Sequence, residues 1–105
     1  MGVIKGVLKE ELKNSMRMKR GYEVAIKKLP KGSIVSKNIR GHKYYYLVSK
    51  KNGKMIYKYK GKMAPEEVKK YEDAKKQRAK YTKLLNQVKN QIKFLQRSLR
   101  GKESN

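Results

Sequence analysis

Lys31–Met63 reads KGSIVSKNIRGHKYYYLVSKKNGKMIYKYKGKM. Its apolar and aromatic residues alternate with polar ones instead of recurring every third or fourth position, which is the pattern of half-buried strands. Asn52-Gly53 is the strongest short-range hairpin signal, because both residues accept the positive φ of a type I′ turn. Taken as a two-residue loop, it pairs Val48 with Tyr57 and Tyr46 with Tyr59. Arg40-Gly41 supplies the earlier turn and pairs Val35 with Tyr46 and Lys37 with Tyr44, although Arg is less comfortable than Asn at positive φ. The expected product is a three-stranded antiparallel meander.

Alternation divides this meander into two faces. One carries Val35, Tyr44, Tyr46, Val48, Met55, Tyr57 and Tyr59. The other carries Ser36, Asn38, Lys43, Tyr45, Ser49, Lys58 and Lys60, with Ile34, Leu47 and Ile56 as its apolar members. The first, richer in large apolar and aromatic groups, is the expected core face, and a slip of one residue would exchange the two.

Helical periodicity flanks the meander on both sides. Ile4, Leu8, Leu12 and Met16, then Tyr22, Ile26 and Leu29, form an amphipathic stripe over residues 1–29, with a break possible at Gly21. Leu29-Pro30 ends it, since a residue before proline is pushed out of the helical region. A second helix is expected over 65–100. Pro65 suits its first position, and Glu66 and Glu67 lie where the positive end of the helix dipole favours them. Tyr71, Ala74, Arg78, Tyr81, Leu85, Val88, Ile92, Leu95 and Leu99 then follow in steps of three and four, a coiled-coil seam closed by Gly101. The seam can pair with the first helix or with a second copy of the chain. The fold class is α+β: an N-terminal helix, a three-stranded antiparallel meander and a long C-terminal coiled-coil-like helix.

Length and composition set the frame. At 105 residues the chain has room for one small domain with a thin core, and its 37% hydrophobic residues fall below the share usual for globular domains. Thirty Lys and Arg against eight Asp and Glu give a formal net charge of +22, far beyond what solubility asks for. No Cys is present, which excludes disulfides and thiolate metal sites. Lys5, Lys9, Glu10 and Glu11 interrupt the first twelve residues, so no signal peptide is expected there. Tyr44–Val48, the longest strongly apolar run, is far too short to span a bilayer. A cytoplasmic protein is expected, with no membrane contact.

The acids are unevenly placed. Val24–Pro65 contains none, yet holds twelve Lys or Arg and five of the eight tyrosines; Ala74–Lys102 again has no acid and ten basic residues. A folded segment carrying one sign of charge repels itself, and an anionic partner such as nucleic acid relieves that repulsion. A merely solvated face would mix both signs. Lys43, Lys50, Lys51, Lys54, Lys58, Lys60 and Lys62, with Asn38, Arg40, His42 and Tyr45, are the candidate nucleic-acid contacts on the sheet. Lys76, Lys80 and Lys83 on the last helix would add phosphate contacts. Lysines neutralise phosphates, Asn38 or a lysine can reach base edges, and tyrosines can stack on unpaired bases. Tyr46, Tyr57 and Tyr59 are expected in the core.

Catalysis has little support. His42 is the sole histidine and has no carboxylate near it in sequence. Glu66, Glu67, Glu72 and Asp73 could hold a hard cation in principle, but acids in a first helical turn are ordinary dipole partners. Gly41, Gly53 and Gly61 are spaced as turn residues, not as a phosphate-binding loop. No enzyme activity, cofactor or metal is expected.

The strings LPKGSI (Leu29–Ile34), GHKYYYL (Gly41–Leu47), NGK (Asn52–Lys54) and YKYKGK (Tyr57–Lys62) resemble, in the same order, a family of small uncharacterised prokaryotic and phage proteins. Those proteins combine a helix, a Tyr-rich hairpin and a coiled-coil helix, so the resemblance implies fold more than activity. The order of sheet then helix is also similar to the arm-type DNA-binding domain of tyrosine integrases, which lays a three-stranded sheet in the major groove. That similarity implies groove contacts by Asn38, Arg40, Lys43, Tyr45, Lys58 and Lys60, while the preceding helix and the length of the last one are additional to that module. Duplex DNA binding is therefore the first expectation. The alternatives are an anti-CRISPR-like inhibitor from a phage or mobile element, docking on a nucleoprotein complex and its guide RNA or DNA, and a structural RNA-binding protein.

Overall fold

A computed structural model describes residues 2–103 and has the α+β architecture. Its elements run α1 (Gly2–Lys28), β1 (Ser33–Ile39), β2 (His42–Lys51), β3 (Lys54–Gly61) and α2 (Pro65–Glu103). Two compact units divide the chain: α1 with the part of α2 from Lys80 onward, and the segment Leu29–Ala79.

In the second unit the strands follow in sequence order, β1-β2-β3, all antiparallel. Both expected registers are present, with Val35 opposite Tyr46 and Lys37 opposite Tyr44, and Tyr46 opposite Tyr59 and Val48 opposite Tyr57. Arg40 and Gly41 have φ of 51° and 81°, and Asn52 and Gly53 have 53° and 79°, so each hairpin closes on two residues in the left-handed region. That geometry matches the right-handed twist of the flanking strands, and it holds even where Arg replaces the preferred Asn. One irregularity departs from simple alternation. Tyr45 pairs with Gly61 instead of Lys60, leaving Lys60 as the extra residue of a β-bulge, with Gly61 at φ 69°. Glycine adopts that conformation without a Cβ penalty.

The covered face of the sheet is the opposite of the expected one. Ile34, Ser36, Lys43 and Tyr45 line a groove with Pro65, Val68, Lys69, Glu72, Asp73 and Lys76, so the first turns of α2 lie over the face carrying Ile34, Tyr45 and Leu47. Val68, Tyr71, Ala74 and Arg78 form the covered stripe of this part of α2, with Ala74 buried. A small residue there lets the helix approach the sheet closely. The tyrosine-rich face is the outer one, and Met55, Tyr57 and Tyr59 are all exposed. The physical reason is hydration: aliphatic side chains have no polar group to keep wet, whereas a tyrosine hydroxyl favours a position open to water or to a partner. Val48 is the exception on the outer face. It lies on the central strand between Ser33 and Tyr57 and is 7% exposed.

The entry to the sheet is tightly fixed. Gly32 has φ of 95°, and a Cβ there would lie 2.8 Å from Leu47 Cδ1 and 2.9 Å from the Val48 carbonyl oxygen. The Arg78 guanidinium donates a hydrogen bond to the Pro30 carbonyl, tying α2 to the segment between α1 and β1. At the start of α2 the amides of Glu67 and Val68 both donate to the Ala64 carbonyl, at 3.0 and 3.1 Å. Ala64 thus caps a helix whose first residue, Pro65, lacks the donor that would go unused there.

The other unit is an antiparallel helical hairpin. Tyr22 meets Tyr81 with ring centroids 6.2 Å apart, Met16 and Lys19 share a groove with Lys89 and Ile92, and Leu12 lies by Leu99. From Tyr81 onward the seam residues of α2 fall as expected, with Val88, Ile92, Leu95 and Leu99 buried and Tyr81 and Leu85 half-buried, whereas Tyr71, Ala74 and Arg78, expected in the same seam, belong to the sheet unit. They take α1 as their partner. The stripe on α1 differs from its four-residue reading: Leu8, Leu12, Ser15, Lys19 and Tyr22 face inward, while Ile4 and Met16 are exposed. Steps of four and three follow the 3.6-residue turn, whereas an unbroken series of fours drifts around the helix. Ser15, 1% exposed, fills the position assigned to Met16. Two expected helix boundaries also move. α1 continues through Gly21, which stands in open space and costs the helix only its propensity, about 1 kcal/mol. α2 continues past Gly101 to Glu103.

Candidate nucleic-acid interface

Strand pleating brings Lys37, Ile39, His42, Tyr44, Tyr46, Tyr57 and Tyr59 to the outer face of the sheet. Tyr46 and Tyr59 are directly cross-strand, with centroids 5.3 Å apart and planes inclined at 58°; Tyr44 and Tyr59 are 6.5 Å apart at 33°. The rings are tilted rather than stacked on one another. Tyr57 is 64% exposed and Tyr59 59%. Lys37 Nζ lies 5.7 Å from the Tyr46 ring centroid, within cation–π range. At the Arg40-Gly41 end the face hollows into an open concavity of about 650 Å³, lined by Ile39, Arg40, His42, Tyr44, Tyr46 and Tyr59. Its walls are planar rings and its rim holds a guanidinium.

Electrostatics separates this face from the covered one. Val24–Pro65 has no carboxylate, so the strands themselves bring only positive charge to the outer face. In the groove beneath α2, by contrast, Glu72 and Asp73 stand among Lys43, Lys69 and Lys76. A groove holding both signs is locally compensated, while a face of one sign attracts anions.

The residues singled out from sequence do not form one patch. Arg40 and His42 belong to the outer concavity, and Lys50 is exposed on the same side. Lys51 and Lys54 flank the Asn52-Gly53 turn, directly opposite each other and both exposed. Lys43, Tyr45 and Lys76 line the groove under α2, with Tyr45 half-buried. Asn38 and Lys58 alternate toward that covered side yet remain exposed, Lys58 opposite Leu47. Lys60 is half-buried at the bulge and Lys62 is exposed just beyond it. Lys80 and Lys83 are exposed on the part of α2 that belongs to the helical hairpin.

Sequence reasoning left out Lys37, Tyr44, Tyr46, Tyr57 and Tyr59 as contacts because it placed the tyrosine face inside. The aliphatic cross-strand pair Ile34–Leu47 was the available signal for the true inner face. Among the described residues no cluster of three His, Cys, Asp or Glu could hold a metal ion, and no helix is long and apolar enough to cross a membrane.

Comparison with known proteins adds a family without adding an activity. No curated protein and no solved structure matches the chain. Residues 5–70, well over half the chain and covering most of α1, the whole meander and the start of α2, match the domain of unknown function DUF6788. The chain is thus a member of the DUF6788 family.

Proposed function

We propose that this protein is a non-catalytic nucleic-acid-binding protein that acts in the cytoplasm and uses the outer face of its sheet as the contact surface. The observation that carries this reading is the coincidence, on one uncovered face, of exposed tyrosines with lysines and arginine in a segment free of acids. Lys37, Arg40 and Lys50 would neutralise phosphates and release their counterions. The basic residues of α2, Lys80 and Lys83 among them, would add contacts insensitive to sequence.

The test is a titration of the purified chain against duplex DNA, single-stranded DNA and structured RNA at several salt concentrations. Binding should weaken linearly in log K against log salt. Replacing Lys37, Arg40 and Lys50 together by Ala should flatten that slope by roughly 0.9 per lost phosphate contact on a duplex, or about 0.7 on a single strand. Failure to bind any nucleic acid at moderate salt would overturn the proposal.

A further inference from the structure

We infer that the outer face is a stacking platform for unpaired bases, so that the substrate class is single-stranded nucleic acid or the single-stranded parts of a folded RNA. The inference rests on the nucleic-acid reading above and narrows it. Major-groove recognition of a duplex, the expectation drawn from sequence, calls for polar side chains that reach base edges. The uncovered face presents ring surfaces instead.

Three observations carry the argument. First, the rings are open to solvent: Tyr57 and Tyr59 stand about three-fifths exposed. Cross-strand aromatic pairing stabilises a sheet, which accounts for Tyr46 beside Tyr59, but pairing does not require rings this exposed. Second, same-face residues two apart on a strand stand about 6.8 Å from each other. Tyr57 and Tyr59 are therefore successive positions on one face, at a backbone spacing about twice the ~3.4 Å separation of successive bases in a strand, so a strand running along β3 meets a ring at about every second base. Third, the concavity at the Arg40-Gly41 turn combines Tyr44, Tyr46 and Tyr59 with the cations Arg40 and Lys37 nearby. Ring faces bind any base, and the cations hold the phosphates on either side. Charge complementarity selects the occupant, because a neutral or basic apolar partner would leave the single-sign face uncompensated.

The chain has eight tyrosines and no tryptophan, so its emission comes from tyrosines, four of which, Tyr44, Tyr46, Tyr57 and Tyr59, belong to the outer face. An oligonucleotide and the duplex formed with its complement are titrated at matched salt, following anisotropy of a labelled strand and tyrosine emission. The single strand should bind at least about tenfold tighter than the duplex, since each stacked base contributes through a ring face that paired bases cannot offer. It should also quench tyrosine emission.

Tyr57→Leu and Tyr59→Leu keep bulk but lose the ring, and each should weaken single-strand binding at least about fivefold. Tyr57→Phe and Tyr59→Phe should bind like the wild type. Circular dichroism identifies any variant that fails to fold, and the wild-type quenching and the Phe variants test the inference without it. Duplex binding as tight as single-strand binding, Leu variants that bind normally, or Phe variants that lose binding would each overturn stacking while leaving a lysine-driven interface in place. Absence of binding to every nucleic acid would overturn both this inference and the function it rests on.

Discussion

In the helical hairpin four large apolar groups of α2, Val88, Ile92, Leu95 and Leu99, are buried in the seam with α1, while others such as Val7, Met18 and Phe94 stand exposed outside it. In the Leu29–Ala79 unit only Val48 and Ala74 among the described hydrophobic residues reach that degree of burial, while Met55, Ile56, Tyr57 and Tyr59 stand exposed. The first unit has a core and a solvated surface. The second leaves one side of its sheet uncovered. A three-stranded sheet covered on one face by a single helix has little apolar area to bury, and its shape depends instead on turn geometry and close contacts at particular backbone positions. The difference teaches that the buried seam and the proposed ring face lie in different regions, so substitutions in the two should have separable effects.

The largest effect is expected in the seam. Leu95→Ala should lower the unfolding free energy by about 2–5 kcal/mol in a denaturant titration, through lost burial and the cavity left behind. A cost no larger than that of an outer-face tyrosine would break the comparison, since the hairpin would then lack the core assigned to it. In the sheet unit a backbone position should matter more than most side chains. Gly32→Ala places a Cβ against Leu47 and the Val48 carbonyl at a positive φ, and should cost more than about 1 kcal/mol in thermal unfolding.

A gain is expected at the first turn. Arg40 occupies the left-handed region at φ 51°, which asparagine tolerates better, so Arg40→Asn should stabilise the sheet unit by up to about 1 kcal/mol. The same change removes a cation from the outer face and should weaken nucleic-acid binding, opposing effects of one residue that would sharpen the separation. Smallest of all, Tyr57→Leu should leave stability within about 0.5 kcal/mol, as exposed substitutions do. A larger loss would mean that the exposed ring is structural after all.

Much of this architecture could be read from the residues because it is set locally. Asn52-Gly53 and Arg40-Gly41 fix both hairpin registers, and Leu29-Pro30 and Pro65-Glu66-Glu67 mark where helices stop and start. The side of the sheet covered by α2 was not legible. Period-two alternation defines two faces but says nothing of which one a distant helix will cover, and the count of large residues pointed to the tyrosines. The bulge at Lys60 was hidden for a similar reason, since Gly61 could be read equally as a turn residue after the strand. On α1, Ser15 went unrecognised because a small polar residue carries no apolar signal, although a seam has room for it where Met16 would not point inward. The candidate site inherited the error about the faces: its lysines were visible in the composition, its rings were assigned to the core.

The two-residue turns have a kinetic consequence. Strands that are neighbours in sequence and in space meet through short closures, and hairpins of this kind form in about 1–10 μs. The helical seam instead joins segments separated by roughly fifty residues of chain. Closing a loop costs entropy that grows with the logarithm of its length. Once the meander has zipped up, the free portion of that loop is much shorter, so the sheet should assemble first and the two helices should find each other last.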